Sequence, residues 1–338
     1  MNGAFRAWLE ALPKAELHLH LEGAIPLPAL WRLMQKYGGD REVPGEADLR
    51  RRLSYRDFAD FIDAWIWKNG FLREYEDFSL IAEAMARELL GQNIRYAEVF
   101  FSPSRFSDQG LEPQELVLAI ERGLARVPNT TVRLIADMVR DTGPEQAART
   151  LEQVAEVRQH GVIGIGLGGS EHRYPPEPFA GIFERARRLG LGTTAHAGEA
   201  AGADSVRGVL DVLAVDRIGH GVRAAEDPAL LDLLAARGMP LEVCPLSNIA
   251  TGVVAEIAQH PVGRFWRQGL MLTINTDDPG MFHNTLADEF LALHQVFGFG
   301  PEEIRNLVLN AVEASWQDAA AKSAMREAFI GDPAWSAP

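Results

Sequence analysis

Between Ile94 and Asn275 the chain keeps returning to one pattern, a short apolar run followed by a longer run of helical period. The short runs, Ile94–Phe101, Val132–Val139, Val162–Leu167, Gly192–Ala197, Arg217–Gly219, Pro240–Cys244 and Leu270–Asn275, are expected strands. Expected helices at Pro113–Val127, Pro144–His160, Phe179–Leu189, Asp204–Ala214, Pro228–Arg237 and Val253–Gln268 separate them. An earlier run near Ala15–Leu21 makes eight strands. Such alternation implies a parallel sheet, because a parallel neighbour is reached only through a long crossover. Eight units within 338 residues fit an α/β fold of the closed (β/α)8 TIM-barrel type better than an open doubly wound sheet. Helical stretches at Leu286–Val296, Glu302–Ser315 and Asp318–Phe329 would extend the C-terminal side. No internal repeat, low-complexity tract or linker interrupts the pattern, so residues 1–338 read as one domain.

The earliest strand differs from the rest. In Ala15-Glu16-Leu17-His18-Leu19-His20-Leu21-Glu22-Gly23 polar and apolar residues alternate, and His18 and His20, two apart, project the same way. Gly23 and Pro26 end the run. Two imidazoles at the tip of a strand suit a borderline-soft divalent metal such as zinc. The plainer alternative is a pair of histidines on the solvated face of an edge strand. Between these the rest of the chain decides, by supplying further ligands or not.

Catalytic groups of such barrels sit at the C-terminal ends of the strands, and more ligand-type residues fall there. The fifth strand ends in Thr194-Ala195-His196-Ala197-Gly198-Glu199, the sixth in Ile218-Gly219-His220-Gly221, the eighth in Asn275-Thr276-Asp277-Asp278-Pro279. The other histidines (His160, His172, His260, His283 and His294) fall on helices or loops and read as solvated or capping. His18, His20, His196 and one of Asp277 and Asp278 would form a His₃Asp set with an exchangeable position, the pattern of a catalytic rather than a structural zinc site. No lysine stands on the fourth or fifth strand to bridge a second ion, so one metal is expected. A bound divalent ion brings the pKa of its water to about 7. Glu199 could then shuttle a proton, His220 orient or deprotonate the water, and the second aspartate hold substrate or hydroxide. These groups suit hydrolytic attack on an unsaturated carbon whose leaving group must be protonated.

Other classes are excluded or set aside. Against 33 Lys and Arg stand 47 Asp and Glu, a formal net charge of −14. Such a chain repels phosphate backbones, and no basic stripe interleaved with aromatics offsets it, so no nucleic-acid partner is expected. The single cysteine, Cys244, allows no intrachain disulfide and reads as a small buried residue. Met1–Trp8 lacks the apolar core of a signal peptide, and no long uncharged apolar run could span a bilayer, so a cytoplasmic protein without a membrane partner is expected. Gly164-Ile165-Gly166-Leu167-Gly168-Gly169 matches G-x-G-x-x-G, but Pro175, Pro176 and Pro178 follow, and no helix can start on the glycines as a dinucleotide site requires. After an expected helix at Pro28–Tyr37 and a polar loop through Pro44-Gly45, a second helical stretch begins near Ser54. Its Phe58, Phe61 and Trp65 share one face, which serves either as core or as the roof of a pocket. The oligomeric state is not readable from the sequence.

Taken together, the H-x-H strand, His196-Ala197-Gly198-Glu199, Gly219-His220-Gly221 and Asn275-Thr276-Asp277-Asp278-Pro279 resemble the adenosine/adenine deaminase family of metal-dependent hydrolases, from Pro13 to about Ser315. The resemblance implies a barrel with a helical lid between its first two strands. It also implies one Zn²⁺ per chain on His18, His20, His196 and Asp277. By the same resemblance Glu199 is the acid that protonates purine N1 as hydroxide adds at C6. His220 positions and deprotonates the water, Asp278 partners N7 and the hydroxide, and Gly169 offers its backbone N–H to N3, with His20 and Glu22 also at the substrate. Ammonia leaves. Glu22 stands where the adenosine branch carries aspartate for the ribose 5′-hydroxyl and the adenine branch glutamate. Leu167-Gly168-Gly169-Ser170, however, lacks the Asp-Ser-Ser run of the adenine branch, and Asn275-Thr276-Asp277-Asp278 reads like the nucleoside branch. The expected small-molecule partner is adenosine or a related purine nucleoside, with free adenine or a 5′-modified adenosine such as aminodeoxyfutalosine as alternatives. A barrel that binds purine without catalysis is disfavoured by the full set of ligand and acid residues.

Overall fold

The computed structural model describes residues 2–55 and 58–336. Eight strands, β1 (Lys14–His20), β2 (Ile94–Phe101), β3 (Thr131–Val139), β4 (Val162–Gly168), β5 (Gly192–Ala197), β6 (Arg217–His220), β7 (Leu241–Val243) and β8 (Leu272–Ile274), lie in sequence order, each parallel to the next. Helices connect them, giving the (β/α)8 barrel that the alternation predicts. Apolar side chains such as Leu17, Val99, Leu134, Ile165 and Ile218 are fully buried beneath the helices.

The barrel closes through side chains. Because β8 is only three residues long, Asn275 completes the seam, its Oδ1 accepting the backbone N–H groups of Leu17 (2.8 Å) and His18 (3.1 Å). The His20 N–H donates to the Asp277 carbonyl (2.9 Å), and the Asp277 N–H to the His18 carbonyl (3.1 Å). Glu16 accepts both the N–H and the hydroxyl of Thr276. This seam sets the two histidines of β1 against the aspartate beyond β8.

At the N-terminal end of the barrel, Trp316 lies across Gly164 and Gly192, either of whose Cβ would come within 2.2 Å of the indole. The buried Arg217 stacks on the same ring, 3.7 Å from its centroid, and pairs with Glu98 at 2.7 Å. Gly164, the first glycine of the G-x-G-x-x-G match, thus serves packing.

Between β1 and β2 the described residues build four helices, Leu27–Lys36, Glu46–Arg52, Phe58–Asn69 and Tyr75–Gly91. Two of them depart from the sequence expectation. A short helix follows Gly45 directly, with Glu46 and Asp48 in its first turn and Arg50, Arg51 and Arg52 in its last, charges that complement the helix dipole. Tyr75–Gly91 buries Phe78, Ile81, Ala82, Met85 and Leu89 at helical spacing. The expected helix Val253–Gln268 is instead two short pieces, Ile257–Gln259 and Val262–Arg267, because Pro261 cannot continue a helix, and another short helix, Pro245–Ala250, precedes them. No helix among the described residues is long and apolar enough to cross a membrane.

Candidate active site

A cavity of about 260 Å³ opens at the C-terminal ends of the strands. His20 from β1, His196 from β5 and Asp277 from beyond β8 line its floor, and the fully buried His18 of β1 joins them, all four with a donor atom within 4.8 Å of the others. His196 Nε2 lies 3.1 Å from His18 Nε2 and 3.2 Å from His20 Nε2, while Asp277 Oδ1 lies 3.5 Å and 3.2 Å from the same two nitrogens. Ligands about 2.0 to 2.1 Å from a tetrahedral zinc ion stand about 3.3 Å apart, so the cluster has the size of an ion's coordination shell. His18 Nδ1 is engaged by Glu242 Oε2 at 2.8 Å, which turns Nε2 to the cluster. Burial opposes charge here, yet Asp277 and Glu242 raise His18 to about 10, and Asp277 and Asp278 raise His20 to about 9. Burial and the neighbouring imidazoles drive His196 the other way, well below the usual range, and the three imidazoles and one carboxylate fit a divalent cation.

Two residues of this floor hold strained backbone. Asp277 (φ 67°) and His220 (φ 60°) occupy the left-handed region that residues other than glycine seldom adopt. Their carboxylate and imidazole are thereby aimed inward from the strand ends, with His220 Nε2 3.6 Å from Glu199 Oε2 and 3.9 Å from Asp277 Oδ2.

Glu199 sits on a loop fixed by one carboxylate. Glu171 accepts the backbone N–H groups of Gly198 (2.6 Å), Glu199 (3.1 Å), Ala200 (2.7 Å) and Ala201 (3.0 Å). Burial, with Asp277 and Glu171 nearby, pushes Glu199 up to about 8, so its carboxyl keeps a proton at neutral pH. Burial and Asp277 likewise lift Asp278 to about 7. Asp278 fits only because Gly23 is bare, since a Cβ there would fall 1.5 Å from its Oδ1. Gly169 lines the cavity at φ 94°, a conformation that glycine adopts without strain. Of the expected substrate contacts, His20, Gly169 and Asp278 line the cavity, whereas Glu22 is wholly buried behind its wall, with Oε1 accepting the Ser102 N–H at 2.9 Å.

His260 corrects the expectation that histidines away from the strand ends are solvated or capping. It is buried and belongs to a chain of hydrogen bonds that ends at His220. The Val262 N–H donates to His260 Nδ1 (3.1 Å), so the neutral ring carries its proton on Nε2 and donates to Asn248 Oδ1 (3.2 Å). Asn248 Nδ2 then donates to His220 Nδ1 (3.2 Å), which leaves the His220 proton on Nε2, facing the cavity. Neutral His220 therefore enters the site as a donor, which suits positioning a water rather than deprotonating it.

Of the remaining residues that line the cavity, Phe61 and Trp65 were singled out from the sequence; the others were not. Phe61, Ile62, Trp65 and Ile66 of the helix Phe58–Asn69 line it from above, the roof reading of that helix, while the side chain of Phe58 lies outside the described residues. Ser102, Asp137 and Arg105 also line it, at or beyond the ends of β2 and β3. The strand-end rule that finds His196 applies equally to Asp137. Gly166 and Gly168 of the G-x-G-x-x-G match lie against the carboxylate of Asp137, and no helix starts on them.

The sequence model of the adenosine deaminase family matches residues 13–331. An adenine deaminase of Vibrio parahaemolyticus is 35% identical over 95% of this chain and 96% of its own length. An aminodeoxyfutalosine deaminase of Streptomyces avermitilis is 36% identical over 98% of this chain and 94% of its own. The crystal structure of an amidohydrolase from Burkholderia ambifaria with bound zinc superposes with a TM-score of 0.90 at 29% identity, covering 99% of this chain and 94% of that one.

Proposed function

This chain belongs to the adenosine deaminase family and is a hydrolytic deaminase of the adenine ring; from that premise we propose that it acts on a purine nucleoside, adenosine or a close relative, with one zinc ion per chain. The observation that carries the reading is the convergence of His18, His20, His196 and Asp277 on one point, with Glu199 and His220 on its open side. When bound by these four residues, the ion supplies a water whose pKa is brought to about 7. Glu199 gives its proton to ring N1, which draws electron density from C6 as the oxygen adds there. His220 holds the attacking oxygen through its Nε2–H. Asp278, whose Oδ1 has no hydrogen-bond partner among the described residues, accepts a proton from that oxygen and faces N7. The Gly169 N–H orients the ring at N3, and His20 stands beside the substituent at N9, with Glu22 buried behind the wall there. Proton return to the departing amine completes the exchange, and ammonia leaves.

Free adenine is a second reading, favoured by the adenine deaminases among the relatives. The test is ammonia release by the zinc-loaded chain from adenine, adenosine, 2′-deoxyadenosine, 5′-methylthioadenosine and aminodeoxyfutalosine, with zinc measured in parallel. A nucleoside preference supports the proposal. Preference for adenine replaces it with the second reading, and silence across the panel with about one zinc bound sinks the purine substrate.

A further inference from the structure

Asp137, near the end of β3, is a carboxylate without an adequate partner. It lines the cavity at only 4% exposure, and among the described residues its Oδ1 has no hydrogen bond and its Oδ2 meets only the Ser102 hydroxyl, at a long 3.4 Å. The arginines nearby do not neutralise it directly: Arg140 turns its guanidinium to the carbonyls of Tyr174 (2.8 Å) and His196 (2.7 Å), and Arg105 stacks over Trp65. A buried carboxylate with an open acceptor costs folding free energy and is kept where it serves a ligand.

The fold makes room for it. Cβ atoms at Gly168 and Gly166 would come within 2.6 Å of Oδ2 and 3.2 Å of Oδ1. Both positions on β4 are bare where Asp137 lies. On the other side of Ser102, whose N–H goes to Glu22 Oε1, the Glu22 carboxylate also has one oxygen, Oε2, without a partner. Two buried carboxylates thus flank Ser102, each with an open acceptor.

We propose that Asp137 is a specificity-determining residue that accepts a hydrogen bond from a ribose hydroxyl of the substrate. The inference rests on the purine orientation proposed above, in which Gly169, beside Gly168, meets N3 and places the N9 substituent next to Asp137. A free base carries one donor at that edge, its N9–H. A ribose carries several hydroxyls, one of which can meet the acceptor that Asp137 presents to the cavity.

The test uses the zinc-loaded full chain, its Asp137→Ala variant and the conservative Asp137→Asn. For each, kcat/KM is measured on adenosine, 2′-deoxyadenosine, 3′-deoxyadenosine and adenine, and the Kd of inosine and hypoxanthine by calorimetry. Asp137→Ala should lower kcat/KM for adenosine at least about tenfold, erase discrimination against one deoxynucleoside and weaken inosine but not hypoxanthine. Asp137→Asn, which removes a buried carboxyl group without a close hydrogen-bond partner, should melt at the same or a higher temperature than the parent, the opposite of what a structural role requires. Unchanged ratios between adenosine and both deoxynucleosides in a folded Asp137→Ala overturn the proposal. Selective loss of adenine turnover and hypoxanthine binding also overturns it, because the carboxylate then serves N9–H. If the parent deaminates no purine, the purine reading fails and this inference with it; if the parent is active and the ratios stand, only this inference fails.

Discussion

His18 Nδ1 and Glu242 Oε2 lie 2.8 Å apart with both side chains wholly buried, so the ring is fixed by a partner that itself cannot move. Burial alone would favour a neutral Glu242, but Arg217 and then His18 bring its pKa down to about 2. Arg217 is pinned in turn by Glu98 and by the face of Trp316. A continuous buried line therefore runs from the N-terminal end of the barrel to the proposed metal ligand. Glu242→Gln should lower zinc affinity about 10- to 100-fold, the usual effect of removing a ligand's orienting carboxylate. Competition against a chelator measures it, and an unchanged zinc affinity would show that His18 needs no such support.

The proposed acid makes a pH prediction. Glu199 must carry its proton to act on N1, and its pKa is raised to about 8 by burial, Asp277 and Glu171. The active form is present below that value and lost above it, so kcat/KM should fall as pH rises through the alkaline limb. Glu199→Gln should cost about 10²- to 10⁴-fold in kcat while leaving the zinc content intact. Loss of metal in that variant would make Glu199 a ligand and remove it from the acid role.

How much of this was legible in the sequence depends on the range over which each signal acts. His18 and His20 announce themselves through a period of two within one strand, and His196, His220 and Asp277 through their position at strand ends. Asp137 obeys the same rule but sits in Leu134-Ile135-Ala136-Asp137-Met138-Val139, where the apolar run reads as core. Asn248 lies in the short helix Pro245–Ala250 and His260 just before Pro261, and only the fold links them to each other and to His220. Glu171 looks like an ordinary loop acid until four backbone N–H groups converge on it. The helix Tyr75–Gly91 carries a clear period and was readable, whereas Glu46–Arg52 has one buried residue and offers charges rather than an apolar stripe.

Packing at the far end of the barrel gives a prediction independent of chemistry. Gly192→Ala would drive a methyl group to 2.2 Å from the Trp316 indole, over which the Arg217 guanidinium stacks at 3.7 Å. Overpacking of this kind costs about 1 to 3 kcal/mol. Denaturant unfolding should show that loss, and adding Trp316→Leu should recover part of it. Equal stability of Gly192→Ala and the parent would mean that the ring is free to shift.

The chain from Val262 through His260 and Asn248 to His220 fixes a tautomer, and one atom change tests it. His260, driven down to about 4 by burial, stays neutral and donates to Asn248. In Asn248→Asp the amide donor becomes an acceptor, so His220 must move its proton to Nδ1 and present a bare Nε2 to the attacking oxygen. Shape and volume are nearly conserved, and substrate contacts are untouched. The expected result is a fall in kcat of about 10²-fold with little change in KM, the mark of a positioned group acting in the transition state. Imidazole ¹⁵N shifts of His220 should report the change of tautomer directly. An Asn248→Asp enzyme with parental kcat and an unmoved His220 signal would show that the proton on Nε2 is set by something other than this chain.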